Sequence, residues 1–316
     1  MQTSLVSSLS RHLTDEFEVV AAYPGGNSVV YEIRTQSLHL AAKHFHGTKS
    51  RIFRSYNREL SALQFLRSHQ VKNIPNIYFA DESLHYIVMD FIEGQMPDAN
   101  LRSLTEILNF IFELREIYLR DSSFPLAIDA AQDLNMLRKQ IEIRLIEFTS
   151  IQVSEYLPNY YRNIEILTSK SSKNVSKANF TYSVSDLGLH NLLVKNGNYF
   201  FFDLEFFGKD SPQKLIGDFV LHPQNRFKES ENSFFVGECV DKFKLNEDEV
   251  AEYIRLLSIK WSLICYKRLH KMIFSNTNRE SIDKQKEIVR YYLEVSHQKK
   301  SSEIWNVTLE KSVNFG

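Results

Sequence analysis

Short apolar runs rich in β-branched residues dominate the first 93 residues, and apolar positions at helical spacing dominate most of the rest. EVVAAY (18–23), SVVYEIRT (28–35) and HLAAKHF (39–45) are separated by PGGN and by a brief polar break, which predicts a three-strand meander. IYFADES (77–83) and HYIVMDFIE (85–93), with a tight break at Asp81 to Ser83, complete a five-stranded antiparallel sheet. Between them, residues 50–69 place Phe53, Tyr56, Leu60, Leu63 and Leu66 on one helical stripe. Gly94, Gln95, Met96 and Pro97 break the strand pattern, and helical periodicity begins near residue 99. Further helices are expected over 133–148 (Leu134, Leu137, Ile141, Leu145, Phe148), about 155–169, 246–273 (Val250, Ile254, Leu257, Trp261, Ile264, Met272) and 280–296. A polar loop is expected at 168–179 and a loosely held tail from Lys299 on. The class is α+β: a small antiparallel β-sheet lobe with one helix over 1–93, and a larger, mainly helical lobe over 94–316.

One stretch departs from the helical pattern of the second half. VSDLGLHNLLVKNGNYFFFDLEFF, residues 184–207, contains Asn196-Gly197 between LLVK and NYFFF, the strongest short-range signal for a two-residue type I′ hairpin. That turn pairs Lys195 with Asn198 and Leu193 with Phe200, so Asn191 falls opposite Phe202 and beside Asp203. Asp186 lies five residues before Asn191 on the loop leading in. An amide and a carboxylate at the open end of a hairpin suit a hard cation, and a second carboxylate nearby suits a proton acceptor, the pairing that phosphoryl transfer requires. A surface hairpin with turn-capping Asp and Asn has the same composition, so the remainder of the chain must decide.

Two features of the strand-rich part bear on that choice. Lys43 sits mid-strand among apolar neighbours, and Glu59, the only acid of the helix over 50–69, borders its apolar stripe in position to meet that lysine. A solvated Glu59 beside Arg58 is the competing reading. The connection Pro24, Gly25, Gly26, Asn27, Ser28 can offer backbone N–H groups to phosphates, or be a plain hairpin turn. The 316 residues carry a net charge of −1, with Lys and Arg scattered, which points to neither a nucleic-acid nor a membrane partner. Cys239 and Cys265 lack metal-ligand spacing, and the start MQTSLVSSLSRHL lacks a secretory pattern, so a cytoplasmic protein is expected.

Lysine, glutamate, DxxxxN and a later Asp, in this order over roughly residues 18–222, resemble the aminoglycoside phosphotransferase and choline kinase family, small-molecule relatives of protein kinases. The family's HGDxxxxN appears as VSDLGLHN, and its downstream metal-binding segment as DLEFFGKDSPQKLIGD. The resemblance implies a protein-kinase-like two-lobed fold and a phosphotransferase using ATP and Mg2+. It implies Asp186 as the catalytic base, Asn191 and Asp203 as magnesium ligands, Lys43 on the α/β-phosphates and Glu59 holding Lys43. It also implies a phosphate-covering loop at Gly25, Gly26, Asn27 and Ser28, an adenine-binding segment at Asp90, Phe91 and Ile92, a structural role for Asp218, and a second-metal contact at Glu205.

Val184 and Ser185 stand where the family has histidine and glycine, which removes a support of the catalytic loop but no group that touches substrate. Only fifteen positions separate Asp203 from Asp218 and no APE follows, so a small-molecule hydroxyl is favoured over a protein acceptor. The competing class is a catalytically silent kinase-like protein that binds nucleotide or a partner. The joint presence of Lys43, Asp186, Asn191 and Asp203 argues against it. Glu247, Asp248 and Glu252, or Trp261 and Tyr266, are available to an acceptor, but the first three cluster at a helix start where acids are favoured anyway, and the sequence does not choose among acceptors.

Overall fold

The computed structural model describes residues 2–148, 160–169, 180–275 and 277–298. Met1–Pro97, Ser123–Ile128 and Leu189–Gly208 form one compact unit; Asp98–Ser122, Asp129–Gly188 and Lys209–Gly316 form a second. The polar segment 170–179, residues 155–159 and the tail from Lys299 lie outside the described residues.

The first unit is built on a five-stranded sheet of order β1-β2-β3-β5-β4. Its strands are β1 (Phe17–Pro24), β2 (Ser28–Thr35), β3 (His39–Phe45), β4 (Ile77–Asp81) and β5 (Tyr86–Asp90), and every neighbouring pair is antiparallel, as the turn signals predict. Successive side chains of a strand leave by opposite faces. Tyr31, Ile33, Leu40, Ala42, Tyr86 and Val88 therefore share a buried face, and helix α1 (Gln2–His12) covers it with Leu5 and Leu9. The Ser8 hydroxyl donates to Asp81 at 2.7 Å and Arg11 pairs with the same carboxylate at 2.5 Å, which fixes the helix against β4. The sequence reading contains no element here. Leu5, Leu9 and Leu13 have helical spacing, but serines fill the gaps, and tertiary packing rather than propensity stabilises such a helix.

The opposite face of the sheet receives helix α2 (Lys49–Ser68). Phe45 meets Tyr56 edge-on with ring centroids 5.9 Å apart. The helix buries Tyr56, Glu59, Ala62, Leu63 and Leu66, whereas Phe53 stays 58% exposed. The buried stripe is thus rotated from the expected one. Phe53 leaves it and Glu59 enters it, because Lys43 provides a partner inside.

Strands β7 (Leu192–Lys195) and β8 (Asn198–Phe201) pair in the register that the turn dictates, Leu193 with Phe200 and Lys195 with Asn198. Asn196 and Gly197 have φ of 52° and 78°, both positive as a type I′ turn requires. The Phe202 amide donates to the Asn191 carbonyl at 3.1 Å, which extends the pairing to the open end. Backbone bonds tie this hairpin to the sheet-bearing unit. Val194 exchanges two hydrogen bonds with Gln95, at 2.8 and 3.1 Å, and Phe201 donates to the Asn73 carbonyl at 2.8 Å. Gly94 permits the crossing, since a Cβ there would sit 2.8 Å from the Val194 carbonyl oxygen.

The second unit is mainly helical: α3 (Leu101–Arg120), α4 (Leu134–Phe148), α5 (Tyr160–Ser169), α6 (Pro212–Leu221), α7 (Glu229–Phe243), α8 (Glu247–Phe274) and α9 (Arg279–His297), with the short pair β6 (Thr181–Ser183) and β9 (Gly208–Asp210). Asn100, Ser211, Asn246 and Asn278 cap α3, α6, α8 and α9 by accepting from a backbone N–H of the first turn. Helix α8 packs on α4, α6 and α9. It buries Val250, Tyr253, Ile254, Leu256, Leu257 and Ile259 among others, so it is enclosed over most of its circumference instead of along one stripe. Among the described residues no helix is long and apolar enough to cross a membrane.

Candidate active site

Lys43 is the centre of the first unit's polar interior. Its Nζ donates to Glu59 Oε2 at 2.6 Å and to Asp203 Oδ1 at 2.7 Å. The lysine and Glu59 side chains are 7% and 2% exposed, while that of Asp203 is 33% exposed. Burial alone would lower the lysine's pKa, but the charges of Asp203 and Glu59 outweigh it and the net shift is upward, so Lys43 stays an ammonium. Glu59 is pushed up to about 7, chiefly by burial, against the pull of Lys43 and with Asp203 adding to the rise. Asp203 itself has a positive φ of 62°, a strained conformation for a side-chain-bearing residue that directs the chain sharply after β8.

The first unit also holds Glu205, the turn around Asn27, and Asn191. Glu205 is 3% exposed, accepts from Asn27 Nδ2 at 2.7 Å, and its Oε2 is buried without a hydrogen-bond partner among the described residues. Asn27 Oδ1 in turn accepts from Arg51. The Gly25 amide is used within its own turn, donating to the Ser28 carbonyl at 2.8 Å, while a Cβ at Gly26 would meet nothing within 4 Å. Asn191 is 5% exposed at the end of a 3₁₀ turn over Leu189–Asn191.

Asp90, Phe91 and Ile92 line a cavity of about 410 Å³ with His39, Lys195 and Phe200. The Asp90 carboxylate accepts from the amide and side chain of Asn76, and the Phe91 amide donates to the His39 carbonyl, so the edge of this cavity is held by main-chain and side-chain bonds. His39 stacks on Phe91 with centroids 4.4 Å apart and bonds Glu32 at 2.9 Å.

Asp186 belongs to the second unit. Its amide donates to the Val184 carbonyl at 2.7 Å, and the preceding Ser185 has φ of 59°, the left-handed conformation for which glycine is the usual residue. The Ser183 hydroxyl accepts from the Ser185 amide at 3.0 Å. Asp186 Oδ1 lies 2.8 Å from Nε2 of His222, the residue that ends α6. Sequence reasoning passed over His222, whose signal is only its place before Pro223 after an apolar helix. Elsewhere in this unit Lys214 bridges Asp210 at 3.0 Å and Asp218 at 2.5 Å, and Lys260 pairs with Asp129 at 2.5 Å. Burial pushes Asp210 up to about 6, against the lowering by Lys214. Asp218, expected to tie down the catalytic loop, is bonded to Lys214.

Neither protein-family models nor curated proteins give a match to this chain. Solved structures do. A choline/ethanolamine kinase family protein from Mesorhizobium loti aligns over 97% of this chain and 99% of its own, with a TM-score of 0.60 at 12% identity. The choline kinase LicA from Streptococcus pneumoniae aligns over 93% and 99% with a TM-score of 0.60 at 15% identity. Spectinomycin phosphotransferase, solved with ADP and spectinomycin, aligns over 96% and 97% with a TM-score of 0.57 at 13% identity. At these identities the likeness establishes architecture, and it extends over nearly the whole chain. The chain has the two-lobed, kinase-like α+β fold of choline kinases and aminoglycoside phosphotransferases.

Proposed function

We propose that the protein is a small-molecule kinase that moves the γ-phosphoryl group of ATP to a hydroxyl of an amino alcohol, a sugar or an aminoglycoside-like compound. The observation that carries this reading is the buried lysine shared between Glu59 and Asp203. Here two carboxylates meet one ammonium, with Glu205 close enough to raise Glu59 further. These oxygen donors, together with a Glu205 Oε2 that is buried without a hydrogen-bond partner among the described residues, fit a hard dication such as Mg2+.

Asn191 and Asp203 would hold the magnesium ion, and Glu205 is a further candidate ligand. When bound, the metal supplies neutralisation of charge on the phosphate oxygens. Lys43, oriented by Glu59, contacts the α/β-phosphates. Gly25, Gly26, Asn27 and Ser28 cover them, and Asp90, Phe91 and Ile92 meet the adenine. In this assignment residues 1–93 are the nucleotide-binding lobe and residues 94–316 the catalytic and substrate lobe. Asp186 accepts the proton of the acceptor hydroxyl as its oxygen bonds the γ-phosphorus and the bond to ADP breaks. The neighbours' names, choline kinase and spectinomycin phosphotransferase, support a small-molecule hydroxyl as acceptor.

A panel of hydroxylated metabolites and antibiotics, assayed for acceptor-dependent ADP release with the phosphorylated product identified by mass, tests the proposal. One acceptor with a product heavier by one phosphoryl group supports it. Nucleotide binding with no turnover on any member favours a silent nucleotide-binding protein.

A further inference from the structure

The loop that carries Asp186 lacks the histidine and glycine that the resemblance leads one to expect before it, and a different segment of the second unit holds it. We propose that the turn His222–Asn225, at the end of α6, is the positioning element of this loop, with His222 orienting the Asp186 carboxylate and Asn225 fixing the backbone behind it. The proposal rests on the reading of Asp186 as the group that takes the hydroxyl proton.

Four observations converge on this turn. His222 Nε2 is 2.8 Å from Asp186 Oδ1. The Gln224 amide donates to His222 Nδ1 at 3.1 Å. A ring nitrogen that accepts a backbone N–H carries no proton, so the imidazole is the neutral tautomer with its proton on Nε2, and that proton is donated to Asp186. Asn225, 7% exposed, donates through Nδ2 to the Leu187 carbonyl at 2.9 Å and to the Phe219 carbonyl at 3.0 Å. The loop is thereby gripped at two successive residues, Asp186 by its side chain and Leu187 by its backbone.

The grip is itself braced. The His222 ring is 5% exposed and meets Trp261 of α8 edge-on, with centroids 5.7 Å apart. Trp261 stacks on Tyr292 of α9, whose hydroxyl donates to the Leu221 carbonyl at 2.8 Å, next to His222 in the chain. The Asp186 side chain is 34% exposed, so the donor that fixes it is enclosed while the carboxylate remains open. A buried, fully partnered imidazole contributes no proton to the reaction in this arrangement. It sets the plane of the carboxylate, as Asn225 sets the height of the loop.

The test compares His222→Ala, His222→Gln, Asn225→Ala, Asp186→Asn and Asp186→Asn/His222→Ala in the full chain, by ADP release from Mg·ATP with the hydroxyl panel and by ATP affinity and melting temperature. Glutamine keeps an N–H donor at about the reach of Nε2. Misplacement of a reacting group costs on the order of 100-fold in rate. His222→Ala should therefore lower kcat by about that factor with the KM for ATP within about twofold. His222→Gln should recover most of the rate, and the double variant should be no slower than Asp186→Asn alone. His222→Ala at the wild-type rate beside an inactive Asp186→Asn overturns the positioning role and leaves the reading of Asp186 intact. An Asp186→Asn enzyme at the wild-type rate, or no ADP release by the wild type, overturns both. Should His222→Ala lose its fold, His222→Gln and Asn225→Ala decide. A rate near wild type in His222→Gln and a lowered rate in Asn225→Ala, with unchanged melting temperature, support positioning by the turn, and a wild-type rate in Asn225→Ala together with no rate in a folded His222→Gln overturns it.

Discussion

Each unit buries a lysine between two carboxylates, and the two clusters differ in what they leave open. Lys43 faces Glu59 and Asp203, and the Asp203 side chain is 33% exposed. Lys214 faces Asp210 and Asp218, whose side chains are 0% and 14% exposed, and Asp210 also accepts the amides of Ala131 and Ser211. The charges are alike, one cation to two acids. In the closed cluster Asp210 Oδ1 accepts two main-chain amides, which hold α6 and the segment around Ala131 together. The open one presents a carboxylate to solvent on a residue with a strained backbone. Charge composition alone therefore does not distinguish a site from a staple. The two clusters differ in the exposure of one carboxylate, 33% for Asp203 against 14% for Asp218.

The strongest way to break this comparison is to remove each cation. Lys214→Met leaves Asp210 buried without a counter-charge and should destabilise the fold by about 3–5 kcal/mol in a denaturant titration. Lys43→Met should cost less stability, because Asp203 can turn to water, yet lower acceptor-dependent ADP release by about 100-fold or more. Indistinguishable stability losses, with activity retained in Lys43→Met, would erase the difference between the clusters.

Ligand binding sharpens the contrast. Mg·ATP at a hundredfold excess over its Kd should stabilise the wild type by about 2.7 kcal/mol, read as a rise in melting temperature. Asp203→Asn should shrink that rise, whereas Asp218→Asn should keep it from its own baseline. A rise that depends on Asp218 and not on Asp203 would assign the ligand to the wrong cluster.

The closed cluster also has a pH signature. Asp210 is raised from 3.8 to about 6 in the folded chain by burial, against the pull of Lys214. Between those values the folded state holds the proton that the unfolded state has lost. Asp210 thus favours folding below pH 3.8, and that contribution is lost as pH rises through about 6. The slope is on the order of 1 kcal/mol per pH unit for one proton. Asp210→Asn should flatten that part of the stability profile, measured as denaturation midpoints at several pH values. An unchanged profile would mean that Asp210 is ionised at both ends.

How much of this was legible beforehand depends on how local the cause is. The hairpin register followed from Asn196-Gly197 because two positive-φ residues admit one turn type, and the strands matched because turn residues bound each of them. The pairing of Lys43 with Glu59 was readable because a mid-strand lysine needs a partner and the helix after it offers one acid. Helix α1 was not readable, since its stability comes from the sheet face it covers. His222 was missed for a related reason: 36 residues separate it from Asp186, and the contact exists only once α6 has packed. The spacing of Asp210, Lys214 and Asp218, each four apart, was a signal for the closed cluster that went unused. The grouping of the hairpin with the sheet depends on backbone bonds to Asn73 and Gln95 that no periodicity reports.

The most direct measurement is of Asp186→Asn, with ATP affinity determined by calorimetry and acceptor-dependent ADP release determined in parallel. ATP affinity should stay close to wild type while the rate falls by about 10²–10⁴. An Asp186→Asn enzyme that binds ATP and releases ADP at the wild-type rate would contradict the assignment of Asp186 as the base.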